Sequence, residues 1–227
     1  GYVIGIKLME GKAVGAITDL NASILAKDAI DLPDTQVNTS VETLITLVNR
    51  LVQQGGIKKK QLMGVGIGLA GVVDFAQGIV KQNPIFGWKN VMLRELLETR
   101  MRVPVYIDND VNTLTLGEKW LEPGKPEDDF IVITLGRGIG MGIVINGQIY
   151  RGKGGGAGEL GHIMVDPNGP MCDCGRQGCL ETLLSDRALV AEAQQKVSPD
   201  VHDLDDLIAR MKAGDQNAAL IFMRAGK

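Results

Sequence analysis

The cysteines and one histidine of this chain lie in one short segment, and that clustering constrains the fold more than any other feature. The three cysteines are Cys172, Cys174 and Cys179, and one of the two histidines is His162. Three thiolates and an imidazole at this spacing suit a tetrahedral structural zinc site, whereas a disulfide between Cys172 and Cys174 would be strained. We therefore predict that these four residues bind one zinc ion; the alternative is three free thiols. With no open coordination position, such an ion would order the loop and would not activate water.

The composition is that of an ordinary globular protein. The 227 residues, 44% of them hydrophobic, suffice for one large domain or two small lobes. A net charge of -3 argues against a nucleic-acid-binding module, which needs clustered Lys and Arg. No apolar segment reaches the roughly 20 residues of a membrane span, so we expect a cytoplasmic protein with no membrane partner. Because the chain starts at Gly1 and ends at Lys227 within a helical pattern, we also expect a piece excised from a longer polypeptide.

Hydrophobic periodicity predicts a series of strands and helices. A three-stranded meander comes first, followed by a helix with Thr39 and Glu42 as a capping box. The predicted elements are strands at 2–8, 13–20 and 23–32, a helix at 39–54, a strand at 62–69, a loop through Asn83 and Pro84, a helix at 91–100, a strand at 103–107, a helix at 111–120, a loop at 123–126, and a hairpin of 130–135 with 142–146.

This order of elements is not a dinucleotide-binding repeat. It matches an α/β fold of the actin-like (ribonuclease H-like) type, the two-lobed arrangement of certain ATPases and sugar kinases. We place the N-terminal lobe at residues 1–122. Residues 123–227 would form the start of an incomplete second lobe, which contains the zinc loop.

Four segments together resemble the ROK family, which is named for repressors, open reading frames and kinases. They are Glu159-Leu160-Gly161-His162, Cys172-Asp173-Cys174-Gly175-Arg176-Gln177-Gly178-Cys179-Leu180-Glu181, Asp108-Asn109-Asp110-Val111-Asn112 followed by Leu116-Gly117-Glu118, and Gly66-Ile67-Gly68-Leu69-Ala70-Gly71-Val72-Val73-Asp74. The resemblance covers residue 2 to about residue 187, and it implies a sugar site between two lobes, in a protein that forms homodimers. It also implies the sugar contacts, which are Gly71, Asn109, Asp110, Glu159, His162 and Glu181.

The same residues have simpler interpretations. Asn and Asp lead the preferences for helix N-caps, so Asn109 and Asp110 could serve only to cap the next helix. Glu159 and Glu181 could be surface carboxylates. However, carboxylates, an amide and an imidazole are the groups that a polyhydroxylated ligand requires. If one ring nitrogen of His162 binds zinc, the other is held in place as a donor to the sugar.

The chain departs from the kinases that it resembles in the first phosphate-binding loop. Their pattern Asp-x-Gly-Gly-Thr-Lys is here Lys7-Leu8-Met9-Glu10-Gly11-Lys12, so a lysine replaces the Asp near magnesium, and Glu10 would repel a triphosphate. The second loop keeps Gly136, Gly138 and Gly140. These glycines would contact a nucleotide only under the alternative in which the protein binds ATP and Mg²⁺. Phosphoryl transfer depends on positioning and charge compensation, so we expect no catalytic residue; in a kinase, Asp110 would be the base.

We therefore predict a sugar-sensing effector domain of a ROK-type transcriptional regulator. Its ligand would be a sugar or a sugar phosphate, and DNA would be bound through a domain that is not in this chain. The first alternative is an ATP-dependent hexose kinase similar to glucokinase. The second is a ROK-derived protein that is neither an enzyme nor a sensor.

Overall fold

The structure, a computed structural model, describes residues 1–121 and 127–226. The predicted lobe boundary at Pro123 to Pro126 lies outside the described residues. The chain forms two compact units, and the first consists of Gly1–Phe130 together with Gly142–Ala157. The second consists of Ile131–Met141 together with Gly158–Lys227. The first unit is therefore built from two separate stretches of sequence.

Strands and helices alternate along most of the first unit, and helices dominate the end of the chain. In chain order the elements are β1 (Tyr2–Met9), β2 (Lys12–Asp19), β3 (Ile24–Asp31), α1 (Val37–Gln54), β4 (Leu62–Leu69), β5 (Val72–Asp74), β6 (Ile79–Asn83), β7 (Trp88–Val91), α2 (Leu93–Met101), β8 (Val105–Asn109), α3 (Asp110–Leu121), β9 (Phe130–Leu135), β10 (Ile139–Ile145), β11 (Gln148–Ile149), α4 (Glu181–Leu184), α5 (Asp186–Lys196), α6 (Leu204–Lys212) and α7 (Gln216–Ala225).

The main sheet of the first unit has the strand order β3-β2-β1-β4-β8. The predicted meander is confirmed, because β1, β2 and β3 pair antiparallel through tight turns. β4 then pairs parallel with β1, and β8 pairs parallel with β4. Since these three strands run in the same direction, their carboxyl ends meet at one edge of the sheet.

The core of the first unit follows from two periodicities. In β1 every second residue points inward, so Ile4, Ile6 and Leu8 are buried. In α1 the helical spacing buries a stripe of apolar residues, including Leu44 and Leu51, which face β2 and β3. Burial of each such side chain stabilises the fold by about 1.5–3 kcal/mol.

The predicted capping box of α1 is wrong. The helix begins at Val37, two residues before the predicted start, and its N-cap Gln36 makes no side-chain cap hydrogen bond. The Thr39 hydroxyl instead donates to Asp34 Oδ2 at 3.2 Å. Asp34 Oδ1 also accepts the Gln36 backbone N–H at 2.8 Å, so the polar contacts at the start of this helix come from a turn upstream of it.

The predicted loop through Asn83 and Pro84 is present as a turn at residues 84–87, but the strands on either side of it were not predicted. Asn83 ends β6, and β5, β6 and β7 form an antiparallel sheet of their own. These strands are only three to five residues long, too short for alternation to be distinguished from a loop. The turn after β6 is fixed by Asn83 Oδ1, which accepts the Phe86 N–H at 3.0 Å.

A third sheet has the order β11-β10-β9, and its first two strands along the chain, β9 and β10, are the predicted hairpin. The boundary between the two units passes through β10. In the second unit α5, α6 and α7 surround a small apolar core that includes Leu189, Leu207 and Ile221. Side chains cap each of these helices: Ser185, Asp203 and Asp215 accept backbone N–H groups of the first turn.

Across residues 1–121 and 127–226, no helix combines the length and the hydropathy needed to cross a bilayer.

Gly71 provides a test of the packing between the main sheet and β6. Its φ is +102°, and a Cβ there would lie 2.1 Å from the Gln82 carbonyl oxygen. Gly11 also has a positive φ, +72°, but nothing lies within 4 Å of its Cβ position. We expect Gly11→Ala to lower the free energy of unfolding by about 1–2 kcal/mol for the backbone conformation alone. Gly71→Ala should cost about 1–3 kcal/mol more, because the backbone must move. Urea unfolding of both variants measures the difference, and equal losses would contradict it.

Candidate functional site

The four predicted metal ligands converge in the second unit. One potential ligand atom from each of His162, Cys172, Cys174 and Cys179 lies within 4.8 Å of the other three. The Cys174 and Cys179 sulfurs are 3.6 Å apart, and Cys172 Sγ is 3.4 Å from His162 Nδ1. Tetrahedral zinc, with bonds of about 2.3 Å to sulfur and 2.0 Å to nitrogen, requires about 3.8 and 3.5 Å between such ligands. The donor set and its spacing therefore fit a bound metal ion.

Backbone hydrogen bonds of the ligand loop hold these donors together. Cys172 N donates to Arg176 O at 2.8 Å, which closes a tight turn around Cys174. Gly178 N donates to Pro170 O at 2.8 Å, and Leu180 N donates to Ile163 O at 2.9 Å. His162 lies just before this hairpin, at the end of a short 3₁₀ turn over Leu160–His162. These main-chain contacts bring the four ligand residues close together.

The three thiols differ in their environments. Cys172 is buried, and burial raises the pKa of its thiol to about 12. Burial also raises the pKa of Cys174, but hydrogen bonds from Arg176 and from the neighbouring thiols outweigh this effect and lower it to about 6. Thiolates are the form that binds metal, so Cys174 is the thiol best prepared to take up an ion, and a bound cation would deprotonate the others.

The second ring nitrogen of His162 faces a carboxylate. With Nδ1 towards the sulfur of Cys172, Nε2 lies 3.6 Å from Glu159 Oε2. A carboxylate beside the other ring nitrogen is a common arrangement for a histidine that binds metal, although 3.6 Å is longer than a hydrogen bond. Glu159 and His162 thus form one polar group beside the metal site.

Glu181 is not a surface carboxylate, since only 15% of its side chain is exposed. Its Oε2 accepts the Ile139 N–H at 2.9 Å, and its Oε1 lies 3.6 Å from Arg187 Nη2. A Cβ built on Gly161 would lie 3.2 Å from Oε2, so Glu181 lies beside the turn that carries His162. The second unit therefore brings Glu159, His162 and Glu181 together.

Glu181 also contacts the glycine-rich turn between β9 and β10. A Cβ built on Gly138 would lie 2.8 Å from Glu181 Oε2. Gly136 O accepts the Asp186 N–H at 2.9 Å. The turn that we considered as a nucleotide loop, with Gly136, Gly138 and Gly140, is held against the start of α4 and α5.

In the first unit Asn109 caps α3, as the simpler interpretation stated. Its Oδ1 accepts the N–H groups of Val111 at 2.8 Å and of Asn112 at 3.3 Å. Its Nδ2 donates to Gly71 O at 3.0 Å, so the structure brings Asn109 and Gly71 together. The amide keeps one further N–H, so capping and ligand binding do not compete for the same atoms.

Asp110, the first residue of α3, pairs with Lys7. Lys7 Nζ lies 3.3 Å from Asp110 Oδ2, and the two side chains are 58% and 23% exposed. Sequence reasoning identified Lys7 as an altered residue but did not find this partner. The strand register explains the pair: Lys7 in β1 is aligned with Gly68 in β4. A side chain at position 68 would clash with the start of α3, where its Cβ would lie 2.6 Å from Thr113 Oγ1 and 3.4 Å from Asp110 Cα.

Sequence reasoning missed two further residues of the first unit, Asp108 and Arg151. Asp108 Oδ2 accepts hydrogen bonds from Arg151 Nε at 2.9 Å and Nη2 at 2.6 Å. The available signal was an Asp directly after the predicted strand at 103–107, because a carboxylate that is buried there requires a cation or several donors.

The five-stranded sheet, an antiparallel meander continued by the parallel strands β4 and β8, is that of an actin-like fold of the sugar-kinase class. The profile of the ROK family matches residues 3–227. The chain therefore belongs to the ROK family, and the fold and family predictions are both confirmed. The match extends beyond residue 187, where the resemblance was expected to end, and so includes all of α5, α6 and α7.

The relatives include both regulators and kinases. The chain is 35% identical over 219 residues to a putative xylose repressor of Caldicellulosiruptor sp., covering 94% of this chain and 55% of that protein. It is 40% identical over 171 residues to a glucokinase of Thermotoga maritima, covering 69% and 54%. It superposes with a TM-score of 0.84 on a ROK family glucokinase from Streptomyces griseus solved with glucose and AMPPNP, at 32% identity, covering 99% of this chain and 75% of that one. The chain thus spans about half the length of these two curated relatives.

Asn109 provides a test of the cap. Asn109→Ala removes the acceptor for the first turn of α3 and should lower the free energy of unfolding by about 0.5–2 kcal/mol. Asn109→Asp keeps an acceptor oxygen and should cost less, although it loses the bond to Gly71 O. Urea unfolding of the two variants makes the comparison. Equal stability of Asn109→Ala and the unaltered protein would show that the cap contributes nothing.

Proposed function

We propose that this chain is the sugar-sensing effector domain of a ROK-type transcriptional regulator, and that it binds a sugar or sugar phosphate without transferring phosphate. The observation that carries the proposal is the Lys7–Asp110 ion pair. In a kinase of this family Asp110 would act as the base, and an Asp at position 7 would lie near magnesium. Here the residue at position 7 is a cation, and it contacts that same carboxylate.

The pair is important for chemistry rather than for stability. With Lys7 more than half exposed, such a pair stabilises a fold by about 0–1 kcal/mol. However, an ammonium group at 3.3 Å compensates the charge of the Asp110 carboxylate and disfavours a divalent cation beside it. The neighbouring turn carries Glu10, which adds negative charge where a triphosphate would need compensation. Since phosphoryl transfer depends on positioning and charge compensation, both changes oppose it.

The polar groups of each unit support sugar binding. Asp110 is 23% exposed, Asn109 keeps an amide N–H, and Glu159 with His162 offers a carboxylate and an oriented ring. A sugar hydroxyl both donates and accepts, so it pairs with each of these groups. We propose Gly71, Asn109, Asp110, Glu159, His162 and Glu181 as the residues that contact the sugar.

We propose zinc as the ion of the Cys₃His cluster, because three thiols and an imidazole are a donor set typical of structural zinc. The distances of 3.6 Å between Cys174 and Cys179 and 3.4 Å between Cys172 and His162 are also close to those of tetrahedral zinc. All four protein ligands are used, so the ion would be structural. It would fix His162 and, through it, Glu159. DNA binding through a further domain is supported by the similarity to a putative xylose repressor. A cytoplasmic location and a homodimer complete the proposal.

The alternative function is an ATP-dependent hexose kinase, and one observation favours it. The turn between β9 and β10 keeps Gly136, Gly138 and Gly140, and glucokinases are among the relatives. If a nucleotide bound, this turn would contact its phosphates. Asp110 would then have to release Lys7 in order to accept the proton of the sugar hydroxyl.

Binding and turnover measurements on the same sample distinguish the functions. We expect isothermal titration calorimetry to detect glucose, mannose, xylose, N-acetylglucosamine or one of their phosphates. Asp110→Ala and Glu159→Ala should each weaken that binding by about 1–3 kcal/mol, because sugar hydroxyls would lose their hydrogen-bond partners. His202→Ala serves as the control, because His202 is not among the proposed sugar contacts. A coupled assay with ATP and Mg²⁺ should show no turnover. A rate above about 1 per second, ordinary for an enzyme, would establish the kinase. Absence of both binding and turnover would favour the ROK-derived protein that is neither.

The zinc proposal has its own test. Elemental analysis should find one zinc ion per chain, and Cys179→Ser should lose it, because one of the four ligands is gone. Removal of the ion by a chelator should increase hydrogen exchange in residues 162–180 and should weaken sugar binding through His162 and Glu159. A metal content well below one per chain after gentle purification would refute the proposal.

A further inference from the structure

Asp108 lies one residue before the predicted sugar contacts, but its carboxylate has no capacity left for a ligand. Only 8% of its side chain is exposed. Oδ1 accepts the backbone N–H of Asn109 at 2.8 Å and the side-chain Nδ2 of Asn112 at 3.1 Å. Oδ2 accepts both hydrogen bonds from Arg151. Four donors thus surround a nearly buried anion, and two of them belong to the Asn109 to Asn112 turn.

The Arg151 guanidinium is the only cation paired with Asp108 among the described residues. It is 24% exposed and lies over the Phe75 ring, 4.1 Å from the ring centre. An arginine that stacks on an aromatic ring and donates two hydrogen bonds has little freedom to move. The fixed guanidinium of Arg151 therefore determines where the Asp108 carboxylate lies.

The backbone around Arg151 is also fixed. Arg151 O accepts the Ala157 N–H at 3.1 Å, and Gly154 O accepts from Lys81 Nζ at 3.4 Å. Gly155, with φ at +82°, approaches β5 so closely that a Cβ would lie 2.1 Å from Val73 O. The segment of residues 151–157 is thus held against β5 and β6, and Arg151 is placed before any ligand arrives.

We propose that Arg151 is a positioning residue for sugar recognition: its guanidinium holds the Asp108 carboxylate, and that carboxylate fixes the start of α3, where Asn109 and Asp110 meet the sugar. Arg151 itself does not contact the sugar. The inference rests on the proposed function for its ligand, but the conformational link from Arg151 to Asn109 is independent of that function.

The test compares two arginine substitutions of the same chemistry. Arg151→Met removes the guanidinium and leaves Asp108 as a nearly buried, unpaired anion. Arg50→Met is the matched control, because Arg50 also makes a two-bond pair with an aspartate of the same unit, Asp28, between α1 and β3. We expect Arg151→Met to weaken sugar binding by about tenfold or more, the usual effect of losing a hydrogen-bonded charge. Arg151→Lys keeps the charge but not the planar guanidinium, so its sugar affinity should lie between those of Arg151→Met and the unaltered protein. Arg50→Met should leave the sugar affinity unchanged.

Hydrogen exchange of residues 108–113 provides a second measurement that needs no sugar. The backbone N–H of Asn109 donates to Asp108. Residues 108–113 should therefore exchange about tenfold faster in Arg151→Met than in the unaltered protein, and their exchange should not change in Arg50→Met. If Arg151→Met does not fold, Arg151→Lys and Asp108→Asn are measured in its place.

The outcomes separate the two proposals. The inference is overturned if the Arg151 variants keep both the hydrogen exchange and the sugar affinity of the unaltered protein. It is also overturned if Arg50→Met loses as much sugar affinity as Arg151→Met. If the unaltered protein binds no sugar, the proposed function fails, and the exchange result alone decides whether Arg151 positions Asn109.

Discussion

The parallel pairing of β1, β4 and β8 is the constraint on which the chemistry of the first unit depends. Leu8, Leu69 and Asn109 are aligned across these strands. The segments that follow each strand therefore leave the sheet at one edge. As a result Gly71 meets Asn109, and Lys7 on β1 meets Asp110 at the start of α3. A shift of one residue in either pairing would turn these side chains to the opposite face of the sheet.

Much of the fold could be predicted because its pattern is strongly periodic. The strand at Leu62–Leu69 matches its predicted bounds, and the meander and α1 to α3 follow closely. The sheet of β5, β6 and β7 could not be predicted, since its strands are too short for alternation to show. The start of α1 was misplaced because Thr39 and Glu42 fit a cap pattern, while the actual contacts come from Asp34. Cap patterns are local, so they do not include contacts from a turn that lies outside the pattern.

The metal cluster was accessible from sequence for a different reason. Its ligands are close along the chain, so spacing alone restricts their geometry. Pairs between distant residues carry no such signal. Lys7 with Asp110, and Asp108 with Arg151, are joined only by the strand register and by the return of the chain to the first unit. From the sequence, Lys7 and Asp110 were identified individually, but their contact was missed, and Asp108 and Arg151 were missed as functional residues. The partners determine what each of these side chains does.

The return of the chain to the first unit has a consequence for dissecting the protein. Residues 142–157 belong to the first unit although the segment 131–141 before them belongs to the second. A fragment that stops after α3 would contain Asp108, Asn109 and Asp110 but not Arg151. It would expose a carboxylate that the intact chain neutralises, together with the surface of β5 and β6 against which residues 151–157 pack. The N-terminal unit is therefore not a continuous module, and a linear cut between the units does not yield it intact.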